Sequence, residues 1–257
     1  METENIFQAA KIIMRSRRLN LPISTLPASY RPKTIEDGYR IQRALQKLIN
    51  GNSGKTSMAY KIGCTTTVMQ KFLDIDHPCA GTIMDSEMYY GTAELNHSNY
   101  VLPGVECEIV ARLKNDIPLS VMNSPKDVAP YIDALMIGIE IVENRYVDFR
   151  SMGVPTLIAD DFFNAGCVLG KPIKNWEELE ICELKGGFII NGKRGPLGQG
   201  ADIMGHPLAA LAWLVNQTAI FGQQLKAGSY VMLGSLVETY WFESPGQAVA
   251  RIPELGE

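Results

Sequence analysis

Gly104-Val105-Glu106-Cys107-Glu108-Ile109-Val110-Ala111-Arg112-Leu113 reads as a β-strand with two unlike faces. Side chains alternate across a strand, so Val105, Cys107, Ile109, Ala111 and Leu113 share one face. Glu106 and Glu108 share the other, close enough for their carboxylates to repel unless something positive lies between them. Cys107 faces away from both and belongs to packing rather than chemistry. Two readings stay open for this strand alone. The acidic face is either a wet, half-exposed side of an antiparallel sheet or an oxygen site for a hard divalent cation of the Mg2+ or Mn2+ type.

Working outward, the next run that matters is Met136-Ile137-Gly138-Ile139-Glu140-Ile141-Val142. It is apolar on both strand faces, as a buried strand is. A carboxylate there needs a partner, because an unpaired buried charge costs several kcal/mol or takes up a proton. Arg145, nearby in sequence, is one partner, through a buried salt bridge; a metal ion is the other. The polar end of the strand is Glu143-Asn144-Arg145. Upstream, Met58-Ala59-Tyr60-Lys61-Ile62-Gly63 is a short apolar segment ended by a glycine. Lys61 in it is either an edge-strand lysine facing solvent or a desolvated general acid or base.

The rest of the chain divides in texture. Residues 4–19 carry Ile6, Phe7, Ala10, Ile13 and Met14 at helical spacing. After a Pro/Ser-rich loop, Thr34 is an N-cap with Asp37 as its box partner. Ile41, Ala44, Leu45, Leu48 and Ile49 follow on one helical side, stopped by Gly51-Asn52-Ser53-Gly54. A short helix is expected over Val68–Leu73. From Ala80 onward short apolar or alternating runs dominate, at 81–84, 105–113, 136–142, 165–169, 187–190, 230–233 and 247–252, with turn residues between them. Ser124-Pro125 opens one helix there and His206-Pro207 another. The expected division is 1–80, a helical N-terminal α/β region, and 81–257, a β-rich core.

Composition excludes several classes. The 257 residues carry 24 Lys+Arg against 28 Asp+Glu, a net charge of -4, which offers no concentrated basic face for nucleic acid. No run approaches the ~20 apolar residues of a membrane span. Ile12-Ile13-Met14 precedes Arg15, Arg17 and Arg18, the wrong order for a secretory signal. Five cysteines, with no CxxC pair, fit reduced thiols in the cytoplasm better than a disulfide or zinc scaffold.

Taken in order, Tyr39-Arg40-Ile41-Gln42, Lys61-Ile62-Gly63-Cys64-Thr65, Gly81-Thr82, Gly104-Val105-Glu106-Cys107-Glu108-Ile109, Ile139-Glu140-Ile141-Val142 with Arg145, and Met204-Gly205-His206-Pro207-Leu208 form a set. Through it nearly the whole chain resembles the 2-keto-4-pentenoate hydratase / 4-oxalocrotonate decarboxylase branch of the fumarylacetoacetase-like superfamily. The resemblance implies an α+β fold, a mixed β-roll or sandwich core with an N-terminal α/β region packed on it. It implies a Mg2+ or Mn2+ site with Glu106, Glu108 and Glu140 as ligands, Lys61 and Asp76 as catalytic residues, and Arg145, Asp160 and Ser235 as substrate-binding residues. The substrate implied is a small 2-oxo or 2-hydroxydienoic acid, hydrated to a 4-hydroxy-2-oxo acid.

The rivals within the resemblance are a 4-oxalocrotonate-type decarboxylase and, third, an acylpyruvate hydrolase. The hydrolases place a catalytic lysine beyond the third carboxylate, where this chain reads Ala159-Asp160-Asp161-Phe162. A homo-oligomer is expected, with a non-catalytic partner in a hydratase–decarboxylase assembly as a further alternative. Three departures stand out. Val237 and Glu238, beside Tyr240 and Trp241, replace small residues at the pocket segment Gly234–Glu238. Gln247 stands where Asp is common. The chain ends at Leu255-Gly256-Glu257, where the branch often adds a strand.

Some residues draw attention without carrying chemistry. His206 reads as a capping or core histidine, and a lone His has no second metal ligand. His77 ranks below Asp76 as a pocket residue. His97 lies in a polar loop and reads as solvated. Gly195–Gly200 lacks the lysine and the strand–helix context of a phosphate loop and reads as a turn between strands.

Overall fold

Ile6, Ala10 and Ile13 are buried along one side of α1 (Thr3–Leu19), as their spacing predicts, together with Ala9, whereas Phe7 is exposed and Met14 half-buried. The structure is a computed structural model and describes residues 1–51 and 59–257. Asn52, Ser53 and Gly54 of the expected helix stop, and Met58 of the expected first strand, lie outside the described residues. In α2 (Ile35–Asn50) Thr34 caps the first turn by accepting the Asp37 N–H. The box is not completed: the Asp37 carboxylate turns to the Met1 amino group at 2.8 Å and to Arg40 at 3.5 Å.

The chain then runs β1 (Ala59–Gly63), α3 (Thr67–Phe72), β2 (Cys79–Ile83), β3 (Met88–Tyr90), β4 (Pro103–Leu113), α4 (Pro125–Val128), β5 (Ile132–Glu143), α5 (Val154–Ala159), β6 (Asn164–Leu169), β7 (Lys185–Ile190), β8 (Lys193–Gln199), α6 (Pro207–Ala219), β9 (Tyr230–Ser235), β10 (Tyr240–Trp241) and β11 (Ala248–Arg251). One mixed sheet has the order β2-β1-β9-β4-β5-β6-β3, with β10 also paired to β4. Its parallel pairs are β1–β9 and β3–β6. A smaller sheet has the order β11-β7-β8. The fold class is α+β, as expected. Gly195–Gly200 is not a simple turn: most of it forms β8, an exposed edge strand, and Pro196 is tolerated there because an edge strand has a side that needs no ladder bond.

The two faces of the main sheet differ. Cys107, Ile109 and Ala111 point into the large core shared with α1, α2 and α6, through Ile13, Ile41, Leu45 and Leu211. On the other face Val110, Ala134, Met136, Cys167 and Met232 form a smaller apolar cluster. Glu106 and Glu108 share the parity of Val110 in β4, and Glu140 that of Met136 in β5. The acidic face of the opening strand is therefore continued by apolar side chains. The wet-face reading fails at Glu108, which is fully buried, while Glu106 is half-buried.

Candidate active site

Strand register brings the acidic residues together. Glu106 in β4 lies directly opposite Glu140 in β5, and Glu108 lies opposite Gly138. Opposed residues on one face of an antiparallel pair sit about 5 Å apart, and Glu108 is two residues along on the same face. A carboxylate oxygen from each of Glu106, Glu108 and Glu140 lies within 4.8 Å of the others.

Lys61 joins them from β1. This strand is held between β2 and β9, so Lys61 is not on an edge, and its side chain is 2% exposed. Its Nζ is 3.1 Å from Glu140 Oε1. Glu140 thus pairs with Lys61, not with the nearer-in-sequence Arg145. Burial pushes the Lys61 ammonium down, but Glu140, Glu106 and Glu108 outweigh it and hold the group above its ordinary value. Burial, with Glu140 and Glu106 beside it, pushes the Glu108 carboxyl well up. Burial also drives Glu140 up to about 7, against the pull of Lys61.

One ammonium cannot neutralise three carboxylates, and the hydrogen bonds do not close the account. Glu108 Oε2 accepts from Gly234 N–H at 2.8 Å, and Glu106 Oε1 accepts from the Thr239 hydroxyl. Glu108 Oε1 and Glu140 Oε2 are buried without a hydrogen-bond partner, and Glu140 Oε1 has only its ion pair with Lys61. Buried charges stay in proteins when they are paired or bind a metal. Three convergent carboxylates, each an oxygen donor, fit a hard divalent cation of the Mg2+ or Mn2+ class.

Two glycines let the backbone close around Lys61. A Cβ on Gly63 would lie 2.7 Å from the Phe162 ring, and one on Gly81 would lie 2.5 Å from the Asp161 carbonyl. The segment they accommodate is unusual. Asp161, Phe162 and Phe163 all have positive φ, at 52°, 49° and 68°. Such conformations cost about 1–3 kcal/mol each away from glycine and persist only where the surroundings impose them. Asp161 Oδ1 accepts from Thr82 N–H, the Thr82 hydroxyl and Gln46 Nε2 at 3.1–3.2 Å. Asp160 Oδ1 accepts from Arg17 Nε at 2.6 Å, and Asp160 Oδ2 from Arg145 Nε at 2.9 Å and from the Tyr146 hydroxyl at 3.0 Å. Phe162 then lies across Lys61, with Nζ 5.0 Å from the ring centroid.

The other expected site residues are placed differently. Arg145 is fully engaged by Asp160, Glu143 and the Asn164 carbonyl. Asp160 is buried in ion pairs with Arg17 and Arg145. Ser235 is paired across the sheet with Glu108, but its hydroxyl donates to the Val237 carbonyl at 2.6 Å. Asp76 is exposed beyond α3 and makes no hydrogen bond or ion pair among the described residues. His206 caps α6, accepting the Leu208 N–H, and His97 bonds the Phe242 carbonyl rather than solvent alone.

Sequence reasoning missed Thr239, Arg17 and Phe162. Thr239 gave no spacing signal, because the short pairing of β10 with β4 is what brings it to Glu106. Arg17 is distant in sequence and looked like one basic residue among three.

No family model matches the chain. Named relatives do. The chain is 30% identical over 220 residues to 2-oxo-hept-4-ene-1,7-dioate hydratase of Escherichia coli, covering 83% of this chain and 81% of the relative. It is 30% identical over 228 residues to 2-hydroxyhexa-2,4-dienoate hydratase of Comamonas testosteroni, covering 87% and 83%. In three dimensions it superposes on 4-oxalocrotonate decarboxylase from Pseudomonas putida G7, solved complexed with magnesium and adipate. The TM-score is 0.92 at 22% identity, covering 100% of this chain and 96% of that one. The carboxylate–lysine cluster on a fumarylacetoacetase-like sheet and the extent of these likenesses place the chain in the 2-keto-4-pentenoate hydratase / 4-oxalocrotonate decarboxylase family.

Proposed function

We propose that the protein is a metal-dependent hydro-lyase that adds water to a 2-hydroxy-2,4-dienoate and releases a 4-hydroxy-2-oxo acid. The observation that carries this is an excess of carboxylate over cation: Glu108 Oε1 and Glu140 Oε2 are buried without a hydrogen-bond partner, Glu140 Oε1 has Lys61 alone, and half-buried Glu106 completes the cluster. Glu106, Glu108 and Glu140 are the ligands we assign to Mg2+ or Mn2+. When bound, the ion supplies Lewis-acid polarisation of the 2-oxo group. The Gly234 N–H and the Thr239 hydroxyl orient two of the carboxylates, a role that outer partners of metal ligands commonly fill.

Lys61 is the group we assign to proton movement. Hydration requires the enol proton to leave O2 and a proton to reach C5. Water oxygen then bonds C4 while its proton goes to C3. A buried ammonium with one face against Glu140 is placed to give and retake such a proton. Phe162 and Gly63 close the Lys61 side against bulk water. Arg145, Asp160 and Ser235 have their polar atoms committed to protein partners, and we assign the first two to bracing the site rather than to holding substrate.

The relatives' names support a role in processing small unsaturated 2-oxo acids. The free thiols of all five cysteines support a reducing, cytoplasmic setting. We also propose a homo-oligomer, which light scattering on the purified protein tests. No helix among the described residues is long and apolar enough to cross a membrane.

The test is direct. Purified protein is loaded with Mn2+ or Mg2+ and given 2-hydroxypenta-2,4-dienoate, and loss of the dienoate absorbance is followed with product identified by mass. Hydration with no CO2 release is the expected result. CO2 released from a 4-oxalocrotonate-type dicarboxylate, without hydration, moves the protein to the decarboxylase side of the family. Lys61→Met is expected to keep Mn2+ binding and to lower turnover by at least about 100-fold, the lower range for a lost acid–base group.

A further inference from the structure

The Lys61 side chain lies between two glycines, and one segment packs on both of them. Gly81 is paired with Lys61 across β1 and β2. A Cβ on Gly81 would meet the Asp161 carbonyl oxygen at 2.5 Å and Lys61 Cγ at 3.2 Å. A Cβ on Gly63 would meet the Phe162 ring at 2.7 Å and Lys61 Nζ at 3.4 Å. The Asp161 carbonyl therefore shares Gly81 with the lysine stem, and the Phe162 ring shares Gly63 with the ammonium. That ammonium reaches Glu140 at 3.1 Å. A lysine stem is flexible and carries much rotamer freedom. Here residues 161–162 and the two glycines leave it little.

The segment does not sit there by its own preference. Its backbone is left-handed at three consecutive non-glycine residues, Asp161, Phe162 and Phe163, and such backbone persists only where the surroundings impose it. The Asp161 carboxylate supplies the hold. Its Oδ1 accepts from Gln46 Nε2 of α2 and from both the N–H and the hydroxyl of Thr82 in β2. All three residues are buried. Thr82 directly follows Gly81, so the strand that makes room for the segment also anchors it. The second carboxylate oxygen has only a long contact to Arg17, at 3.4 Å. Asp161 is not one of the three convergent carboxylates.

We infer that Asp161 is a positioning residue for Lys61: it pins the 161–163 segment against Gly63 and Gly81, and the segment holds the lysine in the rotamer that reaches Glu140. This rests on the hydratase reading for its kinetic consequence and deepens it. Proton transfer needs the donor within hydrogen-bond reach, and a misplacement of about 1 Å costs on the order of 100-fold.

The test compares wild type, Asp161→Ala and Asp161→Asn, since asparagine keeps an oxygen to accept from Thr82 and Gln46. With Mn2+ and 2-hydroxypenta-2,4-dienoate, Asp161→Ala should lower kcat and kcat/KM together by at least about 30-fold, with KM within about threefold, the pattern of a contact that counts only in the transition state. Mn2+ affinity by electron paramagnetic resonance should stay within about threefold, because no ligand is changed. Asp161→Asn should recover kcat to within about fivefold of wild type. A second readout needs no turnover. Acetic anhydride labelling of the metal-free protein, followed by peptide mass spectrometry, should modify Lys61 at least about tenfold faster in Asp161→Ala than in wild type or Asp161→Asn, since local opening exposes it. Exposed Lys226 serves as the unchanged control.

Unchanged kcat and labelling in Asp161→Ala, an asparagine variant as impaired as the alanine one, or a parallel loss of Mn2+ affinity overturns the inference and leaves the hydratase assignment standing. Should Asp161→Ala fail to fold, Thr82→Val decides: it removes one donor and should show the same pattern at about fivefold in kcat, and wild-type kcat and labelling there overturn the inference. A wild type that binds Mn2+ and hydrates no dienoate overturns the hydratase assignment alone, and the labelling pattern still supports or overturns the positioning role.

Discussion

Two buried carboxylate clusters lie on neighbouring parts of this molecule, and strand β5 contributes to both. Glu140 belongs to the first, with Glu106 and Glu108. Glu143, three residues on, belongs to the second, with Asp160, Asp161, Arg17 and Arg145. In the second cluster the charges are answered by two guanidinium groups. Glu143 also accepts the Val101 N–H at 2.7 Å. Burial pushes the Asp160 carboxyl up, but Arg145 and Arg17 outweigh it and hold it below its ordinary value. In the first cluster one lysine faces three carboxylates, burial raises Glu108 and Glu140, and Glu108 Oε1 and Glu140 Oε2 have no partner. Buried carboxylates brace the fold in one place and are left open in the other. Buried acid alone does not mark a site; buried acid in excess of its partners does.

The comparison can be broken by experiment, and the largest effect belongs to the open cluster. Glu108→Gln should weaken Mn2+ binding by at least about 100-fold and lower turnover at least about 1,000-fold, since a hard-cation site depends on ligand charge and count. Free Mn2+ measured by electron paramagnetic resonance checks the first, and dienoate absorbance the second. Wild-type affinity in this variant would sink the metal assignment.

Next in size is the stability contrast. Arg145→Met strands Glu143 and leaves Asp160 with Arg17 as its one cation, and should cost about 3–5 kcal/mol in urea unfolding. Glu140→Gln in the metal-free protein removes like-charge repulsion and should be neutral or stabilising. Equal losses in the two variants would erase the distinction drawn here. Smaller again, Thr239→Val should weaken Mn2+ affinity by about tenfold through loss of the hydroxyl on Glu106, with the melting temperature nearly unchanged.

The smallest effect is on pH dependence. Because the folded-state pKa of Asp160 is depressed, its stabilising contribution is fully present above its unfolded value of about 3.8 and is lost as pH falls through the lower folded value. The stability gap between wild type and Asp160→Asn should therefore be constant from about pH 5 upward and shrink below about 3.8. A gap that instead opens at acid pH would mean the arginines do not hold Asp160 ionised.

Much of this was legible in the chain. The alternation of Glu106 and Glu108 with apolar neighbours gave the strand and its faces, since strand period and face are local properties, but left an oxygen site as one of two open readings. The all-apolar surroundings of Glu140 announced a buried charge, but not its partner. Arg145 was nearer in sequence, and only the β1–β9 pairing, invisible locally, brings Lys61 to it. Strands β3 and β10 were missed because two or three residues give no period to detect. Helix α5 was missed for its brevity. Phe162 could not have been found, because nothing in a Phe-Phe dipeptide signals left-handed backbone; tertiary hydrogen bonds to Asp161 impose it.

The parallel pairing of β1 with β9 also governs when the site can come into being. Lys61 sits opposite Gly81 in β2 and opposite Met232 in β9. The first pairing is local and available early in synthesis. The second waits for residues near the far end of the described chain, roughly 10–30 s later at ordinary ribosomal rates. Until then β1 presents an open edge beside a lysine whose counter-charges on β4 and β5 are already made. Pairings of such long sequence separation are slow to form and expose strand edges meanwhile. The lysine is therefore delivered to its carboxylates by one of the last strands to be made, so the order of assembly withholds the complete cluster until the sheet is whole.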